Sequence, residues 1–88
     1  MMVINAPGVR DGRKSIEKKL PPKGGFKLKE MQEIVGGYIE IVSLDGGMIM
    51  VVNEEGLLKR LPPNVIASEL AGRVIVGSVL VCREKDVK

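Results

Sequence analysis

The chain has no histidine and no tryptophan, and it has one cysteine, one phenylalanine and one tyrosine. Without imidazole there is no Ser-His-Asp triad, no histidine acid–base pair and no histidine metal ligand. One thiol, Cys82, makes neither an intramolecular disulfide nor a four-cysteine zinc site. Two aromatic rings do not make a stacking platform for single-stranded nucleic acid. Apolar runs are short: 48–52, 74–76 and 79–82 are strand-sized, far below the ~18–20 residues of a membrane span. Residues 1–7 lack the basic start and the ~7–15-residue apolar stretch of a secretory signal. A lone, unstapled cysteine fits a reducing compartment, so the expected location is the cytoplasm, with no membrane partner.

What is present is the composition of a small folded domain. The 88 residues are 44% apolar and 28% charged, enough for one core and no second. That core must be built from Val, Ile, Leu and Met. The charge is uneven. Residues 1–30 carry eight bases (Arg10, Arg13, Lys14, Lys18, Lys19, Lys23, Lys27, Lys29) against three acids, a net +5, whereas residues 31–88 carry six against eight, a net −2. The first third therefore reads either as an anion- or nucleic-acid-binding arm over 10–29, with Arg10, Arg13, Lys14, Lys18, Lys19 and Lys23 as its patch, or as a solvated loop and hairpin.

Along the chain, residues 2–5 read as a first strand stopped by Pro7-Gly8, and Asp11-Gly12 as a hairpin turn. Residues 15–20 would return as a second strand, with Ile16 and Leu20 on one face, ended by Pro21-Pro22. Leu28, Met31, Ile34 and Val35 recur at helical spacing, predicting a helix over about 28–35, closed by Gly36-Gly37. Eight residues do not hold a helix in water, so this stripe must pack on a sheet. Residues 38–44 and 48–52, joined by Asp45-Gly46-Gly47, predict a hairpin. Val51 and Ile41 are expected in the sheet, with Met31 and Ile34 packed across it. Residues 57–61 read as a short extended piece and Pro62-Pro63-Asn64 as a loop corner, while 65–70 fits one helical turn or a short strand. Residues 74–82 read as a last strand with a bulge or close backbone approach at Gly77-Ser78, and 83–88 as a frayed charged tail.

The expected architecture is α+β: one domain over 1–88, with a small antiparallel sheet of about 4–5 strands and one short helix on one face. The basic strand and loop segment spans 1–27 and the α+β core 28–82. The returning strand 48–52 is apolar at every position, so both sheet faces need cover. One helix covers one face, and the simplest cover for the other is a second chain, hence a homodimer or higher homo-oligomer.

Motifs that carry chemistry are sparse. The three Gly-Gly pairs have no phosphate-cradling spacing and serve as linker, helix stop and hairpin turn. Asn53-Glu54-Glu55-Gly56 offers oxygens for a hard cation, but adjacent acids on a strand point to opposite faces and a solvated turn explains them as well. No metal site and no cofactor are assigned. Cys82, in an apolar strand without a histidine beside it in sequence, reads as a small hydrophobe. Tyr38 alone joins an aromatic face to a hydroxyl, just after a glycine pair. Tyr38, Asn53, Glu54, Arg60 and Asn64 are the candidate ligand- or partner-binding residues; no catalytic residue is assigned.

The run Gln32-Glu33-Ile34-Val35-Gly36-Gly37-Tyr38-Ile39-Glu40, followed by Asn53-Glu54-Glu55-Gly56, Leu61-Pro62-Pro63-Asn64 and Ile75-Val76-Gly77, resembles the domain-of-unknown-function family numbered 3846, over about residues 31–82. That family occurs in phages, plasmids and other bacterial mobile elements. The resemblance implies that context, and together with the missing catalytic residues and the small size it leads us to expect a non-enzymatic binding protein working in the host cytoplasm, with a host defence component, either a protein or a small nucleotide signal, as its ligand. A nucleic-acid-binding accessory factor and a phage structural or assembly part are the alternatives.

Overall fold

The computed structural model of the chain describes residues 1–6 and 15–87. Five antiparallel strands form one sheet in the order β2-β1-β5-β4-β3: β1 (Met2–Ile4), β2 (Ile16–Lys18), β3 (Ile39–Ser43), β4 (Met48–Asn53) and β5 (Val79–Arg83). The α+β expectation holds, with a second helix added to the first: α1 (Leu28–Val35) and α2 (Val65–Ala71).

Alternation along the central strands makes two cores. Ile49 and Val51 of β4, with Leu80 and Cys82 of β5, point to one face; Met50 and Val52, with Val79 and Val81, point to the other. The first face is covered by Met31 and Val35 of α1, with Ile34 half-buried beside them. Gly36 ends α1 in the left-handed conformation (φ 80°), its N–H bonding to the Gln32 carbonyl at 2.8 Å. The only phenylalanine, Phe26, completes this core. Its N–H reaches the Asp86 carbonyl at 2.7 Å and it bridges to Val87. The charged tail is therefore not frayed up to residue 87. Arg83 Nε donates to Asp86 Oδ2 at 2.7 Å, and Val87 packs into the core.

The opposite face corrects the expected single helix. It is covered within the chain by Ala67 and Ala71 of α2 and by Ile75. Residues 74–76 do not continue β5. Gly77 takes φ 78° and turns the chain, so Val76 bridges to Pro63 instead. A Cβ at Gly77 would sit 2.8 Å from Leu61 Cδ1, which is the close approach read from the glycine. Asn64 caps α2: its Oδ1 accepts from the Ala67 N–H at 3.1 Å, while its Nδ2 donates to the carbonyls of Ile4 (3.0 Å) and Gly77 (2.9 Å). One side chain thus ties the second cover to the sheet.

Three further expectations need correction. Ile41 is 45% exposed, because β3 is the sheet edge and the apolar stripe of α1 reaches Ile39 but not Ile41. The second strand is three residues long instead of running over 15–20, so Leu20 lies beyond it and does not share a strand face with Ile16; both are exposed. Residues 57–60 form turns, not an extended piece. The Asp11-Gly12 turn lies outside the described residues.

Met31→Ala should cost about 2–4 kcal/mol through lost transfer energy plus a cavity, because Met31 is only 2% exposed. Asn64→Ala should cost about 3 kcal/mol or more, since it strips partners from two carbonyls and an N–H near a residue that is 1% exposed. Urea melts of both variants check this; a loss below half a kcal/mol in either would contradict the packing.

Candidate functional site

Asn53 ends β4 and opens a turn. Its Nδ2 donates to the Val35 carbonyl at the end of α1 (3.0 Å), and its Oδ1 accepts from the Glu55 N–H (2.8 Å). The following residues wind into one helical turn: Lys59 N–H bonds to Glu55 O at 2.9 Å, Arg60 N–H to Leu57 O at 3.2 Å and Leu61 N–H to Gly56 O at 3.0 Å. The last two bonds have the spacing of a helix closed by a left-handed residue, a place usually taken by glycine. Here it is Arg60, at φ 53°, the one non-glycine residue with positive φ among the described residues. Beneath the turn, Gly56 is buried, and a Cβ there would stand 2.7 Å from Val76 Cγ2.

The turn is therefore fixed from below, and it carries Leu57 and Leu58 outward, 73% and 83% exposed. Between it and residues 73–76 lies a cleft of about 350 Å³ with Val52, Leu57, Leu58, Val74 and Val76 among its walls. Glu54, Glu40 and Arg73 edge it, the last two paired at 3.9 Å. Val74 is also largely exposed. Two leucines and a valine thus form an exposed apolar rim with charged edges. The exposed ion pairs, including Lys59–Glu55 at 3.8 Å, contribute about 0–1 kcal/mol each and act as rim rather than anchor.

The sequence candidates divide. Glu54 lies on this cleft, with its N–H on the Tyr38 carbonyl at 2.9 Å. Asn53 lines the cleft but is buried, and its side chain holds α1 to the turn. Arg60 sets the turn's geometry. Asn64 is walled in as the cap of α2, and a ligand would reach it only by opening the fold. Tyr38, 65% exposed, stands over a separate depression of about 390 Å³ with Lys29, Gln32, Glu33 and Lys59. Of the basic patch, Arg10, Arg13 and Lys14 lie outside the described residues. Lys23 is exposed, Lys19 pairs with Glu30 at 3.9 Å, and Lys18 and Lys19 flank an apolar depression lined by Met1, Met2, Ile16, Leu20, Met48 and Val81. Sequence reasoning missed Leu57, Leu58 and Val74. The available signal was a Leu-Leu pair inside a Glu-Glu-Gly turn, where adjacent side chains cannot both reach a core.

Cys82 is fully buried. Burial pushes its thiol above the usual value of 9.0, the Asp86 carboxylate adds to the rise, and the N-terminal ammonium opposes it. Among the described residues no group of three or more Cys, Asp or Glu side chains is placed to hold a metal ion. No helix there is long and apolar enough to cross a membrane.

The chain belongs to the family described as domain of unknown function DUF3846, whose profile matches residues 5–88. The match extends well beyond the motifs over 31–82 and takes in the basic segment. No curated protein and no solved structure matches the chain.

Arg60→Gly should stabilise the domain by about 0.5–1 kcal/mol, because glycine takes the left-handed conformation without a Cβ clash and loses only part of that gain to unfolded-state entropy. A lower denaturation midpoint would contradict the turn. The raised thiol gives a second test. The unfolded cysteine ionises near 9.0 while the folded one stays neutral, so Cys82 contributes a loss of stability as pH climbs past that value. Cys82→Ala should flatten that alkaline slope in melts run across the range; an unchanged slope would contradict the assignment.

Proposed function

We propose that the chain is a non-catalytic protein-binding domain that takes an apolar segment of its partner into the cleft between the 54–60 turn and residues 73–76. The observation that carries this reading is the exposure of Leu57 and Leu58, 73% and 83%, on a turn whose base is fixed by Asn53, Gly56 and Leu61. Burying one leucine of that kind is worth about 1.5–3 kcal/mol, and a turn already held in shape adds little ordering cost on binding. Apolar anchors in a pocket with charged edges are the anatomy of a binding hot spot. In the phage or mobile-element setting that the family resemblance implies, the partner is a host protein, and a component of host defence is the reading carried forward.

The charged segment before α1 supports a nucleic-acid reading less. Of its described lysines, Lys19 lies 3.9 Å from the Glu30 carboxylate, and the depression beside Lys18 and Lys19 is apolar. A double variant, Leu57→Ser with Leu58→Ser, should leave the melt within about 0.5 kcal/mol of the parent, because neither side chain is part of the core. Native mass spectrometry of protein recovered from host cells should show the parent holding a partner protein at fixed stoichiometry and the double variant without it. Equal retention by both, or a nucleotide or nucleic acid held by both in place of a protein, would overturn the proposal.

A further inference from the structure

The two edges of the sheet are unlike. β2 is three residues long and carries Lys18, a device that blunts an edge. β3 is five residues long, without proline or lysine. Its pairing shows where its free groups point. The Leu44 N–H bonds to Met48 O at 2.9 Å and the Glu54 N–H to Tyr38 O at 2.9 Å, so the even-numbered residues from 38 to 44 face β4. The N–H and C=O groups of Ile39, Ile41 and Ser43 therefore point outward. Ile41, which the core does not use, sits at the centre of this open row.

We infer that β3 is the seam of a homodimer, in which two copies pair antiparallel through Ile41 and join their sheets into one. This goes beyond the proposed function, because it uses a different surface and a second copy of the chain. The occupant is argued from the self-complementarity of the row. Under a two-fold axis at Ile41, outward residues meet outward residues: Ile41 meets Ile41, and Ile39 meets Ser43 of the second copy. Three outward residues per strand exchange about six main-chain hydrogen bonds. Charge fits as well. Glu40 falls opposite Val42 of the second copy, so no like charges face each other, and each Glu40 is already held by its own Arg73 at 3.9 Å. The exposed Ile41 side chains close on each other across the seam.

The test uses substitutions that spare the internal ladder. Ile41→Pro removes an N–H that no other described residue uses, and proline is tolerated on an edge strand whose N–H side faces out. Ile41→Lys places a charge pair at the axis and keeps the backbone intact. Sedimentation velocity of the full chain from micromolar to millimolar concentration should show the parent moving to twice the chain mass, with hydrogen exchange at Ile39, Ile41 and Ser43 slowing as it does. Both variants should stay monomeric with the circular dichroism of the parent; if Ile41→Pro fails to fold, Ile41→Lys decides. A parent that remains monomeric throughout, a dimer in which those three amides exchange as fast as in dilute protein, or a folded Ile41→Lys that dimerises like the parent overturns the inference.

Discussion

The structure depends on β4 and β5 being apolar on both faces. A strand pair of this kind has no side to give to water, so the chain must supply two covers within a small domain. Neither helix is stable by itself at seven or eight residues. Each exists because the sheet holds it, and the sheet stays dry because both do. The first cover is held by size: Met31, Val35 and Phe26 fill space over Ile49, Val51, Leu80 and Cys82. The second is held through its cap. Ala67 joins the buried cluster, and the Asn64 amide reaches the backbone of both the first strand and the turn before the last one.

This difference decides what could be read from the amino acids. α1 announces itself, because its buried residues are large and recur at helical spacing before a glycine pair. The β3–β4 hairpin does too, since the Asp-Gly-Gly turn stands between two β-branched runs. α2 inverts the pattern: its one buried position is Ala67, while Val65, Ile66 and Leu70 stay exposed. A hydrophobicity reading places its apolar side on the wrong face. The Asn64 cap was visible in principle, but two preceding prolines suggested a corner. The pairing of Phe26 with Val87 joins positions 61 residues apart, and local patterns carry no information about such contacts.

The candidate site was legible only at its borders. Asn53 and Glu54 were singled out for their oxygens, yet Asn53 acts as a fastener and Glu54 as an edge. The apolar tip between them and Arg60 depends on a left-handed arginine and a glycine pressed against Val76, which no spacing rule predicts. The left-handed arginine persists because the turn is held from below by Asn53 and by Gly56 against Val76, and that hold keeps the two leucines outside the core.

Cover and edge are connected by this logic. With the central strands covered on both faces inside the chain, pairing through the β3 edge would make a continuous sheet instead of a face-to-face sandwich. Antiparallel strands of one sheet are related by an axis perpendicular to it, so both copies would show their α2 side in the same direction. Glu40 would then belong to two surfaces at once: its backbone lies in the edge strand β3 and its side chain, with Arg73, edges the cleft. Two clefts facing one way would meet a repeated or dimeric partner with both sites engaged. The second contact would then form at the effective concentration set by the seam rather than at that of free partner. A weak apolar anchor of two leucines per chain would be sufficient under that geometry, which is consistent with a cleft of modest size on a domain this small.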